Sequence, residues 1–347
     1  IQALVALQMG AISPGTGFGH GGSPINCSHG HPVASDIQKA IQYSCNPYFY
    51  QTYKRIIYSN TEPNVFKKSA IGLQKWDDMV AKFGIGQSLE IDLPTERKGN
   101  LPSIQMYDKM YGGPLRWKFS NIASNSIGEG ELLVSPLKMA NVAAIVANRG
   151  FYYRPHLVRG IGKVGAIDEK YKEKISVDID RRHFETVIGG MVNAVNNGTV
   201  SGDGRMSDIQ MCGKTGTSQN RHGENHSIFI AFAPRDNPKI AIAVFVENAG
   251  SGGAHAAPIA SLCIEKYIKR RSDRKAIETK WMNKGYPLNI IRTAPSKTDT
   301  KTTLTVKKDS VIQKVDEELF LTSPQNAIPL MGAEKPNTIK IPMKPRK

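Results

Sequence analysis

Lys214, Thr215, Gly216 and Thr217 stand in a row inside "DIQMCGKTGTS", combining one fixed positive charge, two hydroxyls and a glycine. On a strand the side chains alternate, so Lys214 and Gly216 share one face while Thr215 and Thr217 share the other. A glycine within a strand marks a place where a ligand or a second backbone comes close. An edge strand with free N–H and C=O groups can also pair with an extended peptide. In isolation the run fits an ordinary exposed strand equally well. It raises the question of which nucleophile the lysine and hydroxyls serve, since no obvious one stands elsewhere in the chain.

A second short run, Ser44-Cys45-Asn46, directly precedes Pro47, which breaks a helical pattern and sets the three residues at a helix end or inter-helix corner. Taken alone, Ser44 reads as a helix cap and Asn46 as a pre-proline turn residue. A third cluster lies in "GHGGSPINCSHGHP" together with Cys45, and supplies His20, Cys27, His29, His31 and Cys45. Tetrahedral zinc takes four such thiolates and imidazoles. The alternatives are a Cys27–Cys45 disulfide in an oxidising compartment, or plain loop histidines. Cys212 reads as a small core residue, and His226 and His255 as satisfied structural histidines. Glu129 and Glu131, two apart in a Gly-rich loop, read as packing and capping residues ahead of the next helix.

These groups must be positioned by the elements around them. "IQALVALQMGAI" has helical spacing, and "SPGTGFGHGGSP" reads as loop. "SDIQKAIQYSCNPYFYQTYKRII" is helical on both sides of its break, and "GLQKWDDMVAKFGIG" is a helix closed by Gly84. "SLEIDLPTERKGNLPS" reads as irregular. "SPLKMANVAAIVANRG" is the clearest helix, with Pro136 in its first turn and Gly150 at its end, and "HFETVIGGMVNAVNNG" is another. Three strand-like runs follow, "DIQMCGKTGTS", "HSIFIAFAP" and "KIAIAVFVENA", the last two joined by a "PRDNPK" turn. "GGAHAAPIASLCIEKYIKR" closes the region as a helix. Helices, then an antiparallel meander, then a helix define an α+β fold with an antiparallel sheet flanked by helices.

The chain of 347 residues, 40% hydrophobic, is long enough to bury a substantial core. Residues 1–271 form one domain, and 272–347 read as a basic, mostly disordered tail rich in Thr, Lys and Pro without periodicity. Of the net charge of +16, the part from Glu265 onward carries 19 Lys and Arg against 9 Asp and Glu. Those charges are diluted among Thr, Ser and Pro with few aromatics for base stacking, which argues against nucleic-acid binding. Four cysteines without CxxC spacing exclude a disulfide scaffold. No apolar run reaches the roughly 18 residues of a membrane span. The first helix lacks an N-cap, as expected of a helix whose start is missing and of a chain that is a fragment.

Ser-x-Asn followed by Lys-Thr-Gly makes two of the three elements of the penicillin-recognising serine enzymes. The resemblance extends further. "IQALVALQMGAI", "AIQYSCNPYFY", "FGIGQSLEIDLPTERKGNLP", "SIGEGELLVSPLKMANVAAIVANRG", "CGKTGTSQN", "HSIFIAFAPRDNPKIAIAVFVENAG" and "GGAHAAPIA" resemble, in order, the transpeptidase domain of class B penicillin-binding proteins of the penicillin-binding protein 2 type. The similarity covers roughly residues 1 to 270, and "SCNPYFY" looks most like the Bacteroidetes version. The third element, Ser-x-x-Lys, has no match in the right place. The chain starts where the stretch just after that motif would begin, so the nucleophilic serine and its lysine are expected to be missing, and the fragment itself inactive.

The resemblance implies a penicillin-binding serine transpeptidase fold and a serine acyl-enzyme that cross-links peptidoglycan stem peptides during cell-wall elongation. It implies that Ser44 relays a proton to the leaving amine and that Asn46 binds the substrate's amide carbonyl. Lys214 would keep the potential positive for the substrate carboxylate. Thr215 and Thr217, flanking Gly216, would bind that carboxylate, with the Thr217 N–H as half of an oxyanion hole. The alternatives are a β-lactamase or D,D-carboxypeptidase of the same fold, or a non-catalytic β-lactam sensor or scaffold. No cofactor is required for this chemistry. Some relatives of this type hold zinc through two Asp, one His and one Cys. Cys45 falls at the cysteine, while His20 and Cys27 would replace the aspartates and His31 or His29 would be the histidine. The implied partners are stem peptides, β-lactams, a SEDS-type glycosyltransferase and the elongation complex. The implied location is the bacterial inner membrane, through an N-terminal helix absent here, with the catalytic domain in the periplasm.

Overall fold

The computed structural model describes residues 1–163 and 165–286. Local chemistry sets most element starts. α1 (Gln2–Gln8) is followed by the Gly-rich loop and by α2 (Ile37–Tyr43), where Asp36 accepts from the Lys39 N–H. α3 (Asn46–Ile57) has Pro47 in its first turn, and α4 (Val65–Ala81) is capped by Asn64. α5 (Ile104–Tyr111), capped by Ser103, and the short α6 (Phe119–Ile122) precede a 3₁₀ turn over Ala123–Ile127. α7 (Pro136–Ala147) begins at Ser135, whose hydroxyl accepts from the Lys138 N–H. β1 (Phe151–Tyr152) and β2 (Ile175–Ser176) pair antiparallel before α8 (Arg181–Asn197). β3 (Cys212–Ser218), β4 (His226–Ala233) and β5 (Ile240–Val246) lead into α9 (Ala256–Lys269) and α10 (Lys275–Met282).

The main sheet has the order β3-β4-β5, antiparallel throughout, with Lys214 opposite Ile230 and Phe229 opposite Val244. The meander is therefore as the sequence indicates, and β3 is an edge strand among the described residues. Alternation along β4 divides the core. Phe229, Ala231 and Ala233 pack toward Ala257, Ala260 and Ile264 of α9. Phe232, with Cys212 beside it on β3, belongs to the larger cluster built on α1, α3, α4 and α8 through Leu4, Val5, Tyr53, Trp76 and Phe184. Helices thus cover both faces of the sheet, and the fold is α+β.

A Cβ on Gly216 would meet only the Ile228 side chain, at 3.2 Å, so the glycine that a second backbone demands is Gly252 rather than Gly216. The loop before α9 lies so close that a Cβ on Gly252 would stand 2.3 Å from the Gly216 carbonyl oxygen and 2.2 Å from that of Ile228. Two short helices, α5 and α6, add to those expected; α5 runs from its Ser103 cap to the left-handed Gly112, and α6 is a single turn. The stretch from 272, read as a mostly disordered tail, opens with α10, which Asp203 anchors by accepting from Lys280 Nζ (2.6 Å) and Trp281 Nε1 (3.1 Å). That tertiary tie is invisible in composition. The rest of the tail expectation lies outside the described residues.

Candidate active site

The break between α2 and α3 is sharp because Ser44, the C-cap of α2, is left-handed (φ 54°, ψ 48°), a conformation that costs a non-glycine residue about 1 kcal/mol. Cys45 then caps α3 in an extended conformation. The turn aims the Ser44 hydroxyl at the free edge of β3, where Lys214 Nζ donates to Ser44 Oγ at 2.6 Å and to the Thr215 carbonyl at 2.7 Å. Two motifs 170 residues apart are therefore in direct contact. Burial holds the Lys214 ammonium down at about 8, from an ordinary 10.5. Among the described residues no carboxylate forms a salt bridge with it, so a positive charge stands at the cleft without a counter-ion.

The other residues singled out in the sequence fall around this pair. Asn46 donates one amide N–H to the Asn26 carbonyl (2.9 Å), which leaves its second amide N–H available. Thr215 Oγ1 shares a 2.7 Å hydrogen bond with Thr199 Oγ1. Thr217 is exposed, and the Gly252 N–H approaches its hydroxyl at 3.5 Å. Thr199 was not singled out, and only its place just after the terminal glycine of α8 hinted that it would return toward β3. Cys212 is buried, its thiol pushed up to about 12 by burial, and is a core residue. His226 accepts from the Asn248 N–H (3.1 Å), and His255 shares a hydrogen bond with the Tyr286 hydroxyl (3.1 Å). Both are structurally engaged. Glu131 accepts from the Tyr107 hydroxyl (2.7 Å), whereas Glu129 reaches the main-chain N–H of Gln219 just past β3 (3.3 Å). The two acids therefore part company, with one in packing and the other at the cleft.

Behind the Ser44 corner, the loop before α2 gathers the His and Cys residues. Ligand atoms of His20, His31 and Cys45 lie within 4.8 Å of one another, and Cys27 Sγ lies 3.1 Å from His31 Nε2. Cys27 and Cys45 are separate thiols rather than a disulfide. Burial pushes the Cys45 thiol up to about 11, with Cys27 adding to the shift. His31 Nδ1 donates to the Pro32 carbonyl (2.7 Å), which puts the lone pair on Nε2, toward the thiols. His29 is instead turned to the Tyr43 carbonyl (2.8 Å). His20 Nε2 is buried without a hydrogen-bond partner among the described residues. Of the four expected ligands, His20, His31 and Cys45 come together, while Cys27 lies outside that trio, against His31. An orphaned imidazole nitrogen near a thiol and a second imidazole fits a divalent metal of the zinc type. The Cys27 sulfur also accepts from the Asn46 N–H (3.2 Å), tying this corner to the active-site turn.

Helices on both faces of a sheet whose edge strand carries Lys-Thr-Gly opposite a Ser-x-Asn turn define the architecture of the penicillin-recognising serine enzymes. The penicillin binding protein transpeptidase domain matches residues 1–265, and the chain belongs to that family. Among its relatives, the peptidoglycan D,D-transpeptidase MrdA of Haemophilus influenzae is 30% identical over 258 residues, 68% of this chain and 37% of the relative. The structure of Pseudomonas aeruginosa PBP2 in complex with WCK 5153 superposes with a TM-score of 0.62 at 26% identity, covering 77% of this chain and 58% of that one. PBP2 of Helicobacter pylori, solved in complex with MreC, shares the fold with a TM-score of 0.58 at 22% identity, over 77% of this chain and 49% of that one. The chain thus spans 37% of the length of its H. influenzae relative.

Proposed function

We propose that the protein acts as a penicillin-binding protein 2-type peptidoglycan D,D-transpeptidase in cell-wall elongation, with residues 1–271 as its transpeptidase domain. The observation that carries this reading is the 2.6 Å bond from Lys214 to Ser44 at the free edge of β3. The reaction needs a serine nucleophile beside this pair. That serine gives up its proton to the lysine of its own Ser-x-x-Lys element, which acts as base and returns it through Ser44, and the serine oxygen attacks the carbonyl of the penultimate D-Ala of a stem peptide. The peptide bond to the terminal D-Ala breaks, and Ser44 passes a proton to the departing amine. An acceptor amine then attacks the resulting ester and releases the serine. Lys214 supplies the positive potential for the substrate carboxylate, which the Thr215 and Thr217 hydroxyls receive. The Thr217 N–H stabilises the oxyanion, and the remaining Asn46 amide N–H holds the substrate's amide carbonyl.

β-Lactams would acylate the same serine, as ligands that imitate the D-Ala–D-Ala end. The partners of this reading are the elongation complex, including an MreC-like protein and a SEDS-type glycosyltransferase. Its location is the inner membrane with a periplasmic catalytic domain. Among the described residues no helix is long and apolar enough to cross a membrane. We also propose a structural zinc held by His20, Cys27, His31 and Cys45, which would pin the loop behind Asn46 and takes no part in the acyl transfer. Metal analysis of the purified protein should then find about one zinc per chain, lost in Cys45→Ser. A metal-free protein that keeps its thermal midpoint would remove the zinc from the account.

The reading is tested by labelling the full-length protein with fluorescent penicillin and following a donor peptide with and without an added amine. A covalent label and a cross-linked product support it. Rapid loss of the label to water, with no cross-linked product, points to a hydrolase. No label at all overturns it.

A further inference from the structure

Glu129 sits at the tip of a turn between Gly128 and Gly130, both left-handed (φ 79° and 82°). The turn leaves the 3₁₀ segment packed beside α3 and carries the side chain across to the far end of β3, where Oε1 meets the Gln219 N–H at 3.3 Å. The cleft along β3 is therefore bridged twice, by Ser44 and Lys214 near its start and by Glu129 and Gln219 just past its end. Glu129 is half-buried, and its one hydrogen bond is long. Among the described residues it pairs with no Lys or Arg, whereas Glu131 on the same loop is engaged by Tyr107.

The register of a substrate on β3, which rests on the transpeptidase reading above, fixes what meets this carboxylate. The terminal carboxylate lies at Thr215 and Thr217 and the scissile carbonyl at the Thr217 N–H, so the peptide runs antiparallel to β3, its upstream residues toward Gln219. Gln219 is two positions beyond Thr217, roughly 7 Å along the strand. The residue that precedes D-Ala–D-Ala is level with it. A half-buried acid with no cation of its own selects an ammonium there.

We propose that Glu129 is a specificity-determining residue that recognises an ammonium-bearing side chain on the stem-peptide residue preceding D-Ala–D-Ala.

The test compares two synthetic donors ending in Lys-D-Ala-D-Ala, one with a free side-chain amine and one with that amine acetylated, on the full-length protein. Penicillin acylation is measured in parallel. The unsubstituted protein should favour the free amine by about tenfold or more in kcat/KM. Glu129→Gln should bring the ratio close to one, and Glu129→Asp should keep part of it. A merely structural role would lower both donors together and leave the ratio intact, which overturns the proposal, as does an unsubstituted protein that acylates with penicillin but shows no preference. An unsubstituted protein that is not acylated by penicillin sinks the transpeptidase reading, and this inference with it.

Discussion

Two lysines, one fully buried and one half-buried, show how differently the same side chain is used in the two halves of this molecule. Lys138, on α7, is fully buried, and its ammonium donates to the carbonyls of Gly84 (2.8 Å) and Gln87 and to Glu96 Oε1 (3.2 Å). Its charge is balanced within the protein, and it ties the loop after α4 to α7. Lys214 is held by one hydroxyl and one carbonyl, with no carboxylate paired to it among the described residues. A buried cation with an anion beside it is part of the scaffold. One without an anion leaves room for an anion that arrives from outside.

The comparison breaks most visibly in stability. Lys138→Met takes the lysine from Glu96, which keeps the Leu89 and Glu90 N–H and Ser88 hydroxyl donors, and removes the ammonium from the Gly84 and Gln87 carbonyls. It should cost about 3–5 kcal/mol, read as a lower denaturation midpoint. Lys214→Met should do the reverse. Removing an uncompensated charge should raise stability by roughly 1–2 kcal/mol, while penicillin acylation of the full-length protein falls about 10²–10³-fold. If both variants lose stability equally, the two lysines are not different in kind.

A smaller effect sharpens the same point through pH. The folded-state value of Lys214, about 8, lies below its unfolded 10.5. Between those values the unfolded chain binds more protons, so the contribution of Lys214 to stability grows as pH rises through that window. Acylation should move the other way and fall up to tenfold per unit above about pH 8, as the charge awaiting the substrate carboxylate is lost. A pH–rate profile flat to pH 10 would remove Lys214 from carboxylate recognition.

What could be read from the sequence was what local chemistry decides. Pro47 and the residues before it announce the α2–α3 break, and alternation around Lys214 announces a strand. Gathering of the loop histidines and cysteines was readable from their density, although the choice of His31 over His29 needed the carbonyls of Pro32 and Tyr43. Pairings across the fold were not readable. Thr199 meets Thr215, Glu129 meets Gln219, and Lys138 turns inward from a helix position that a sequence would give to solvent. No periodicity encodes them, because each depends on how α7, α8 and the sheet stack.

Ser44 carries one more consequence, in the long run of mutation and selection. Its left-handed backbone is a conformation that glycine adopts freely, so Ser44→Gly relaxes the turn while deleting the hydroxyl that faces Lys214. Drift toward thermal robustness and retention of the proposed activity therefore pull this single codon in opposite directions. A serine persisting there across a lineage would record continuing use of the hydroxyl, and a glycine would date its retirement.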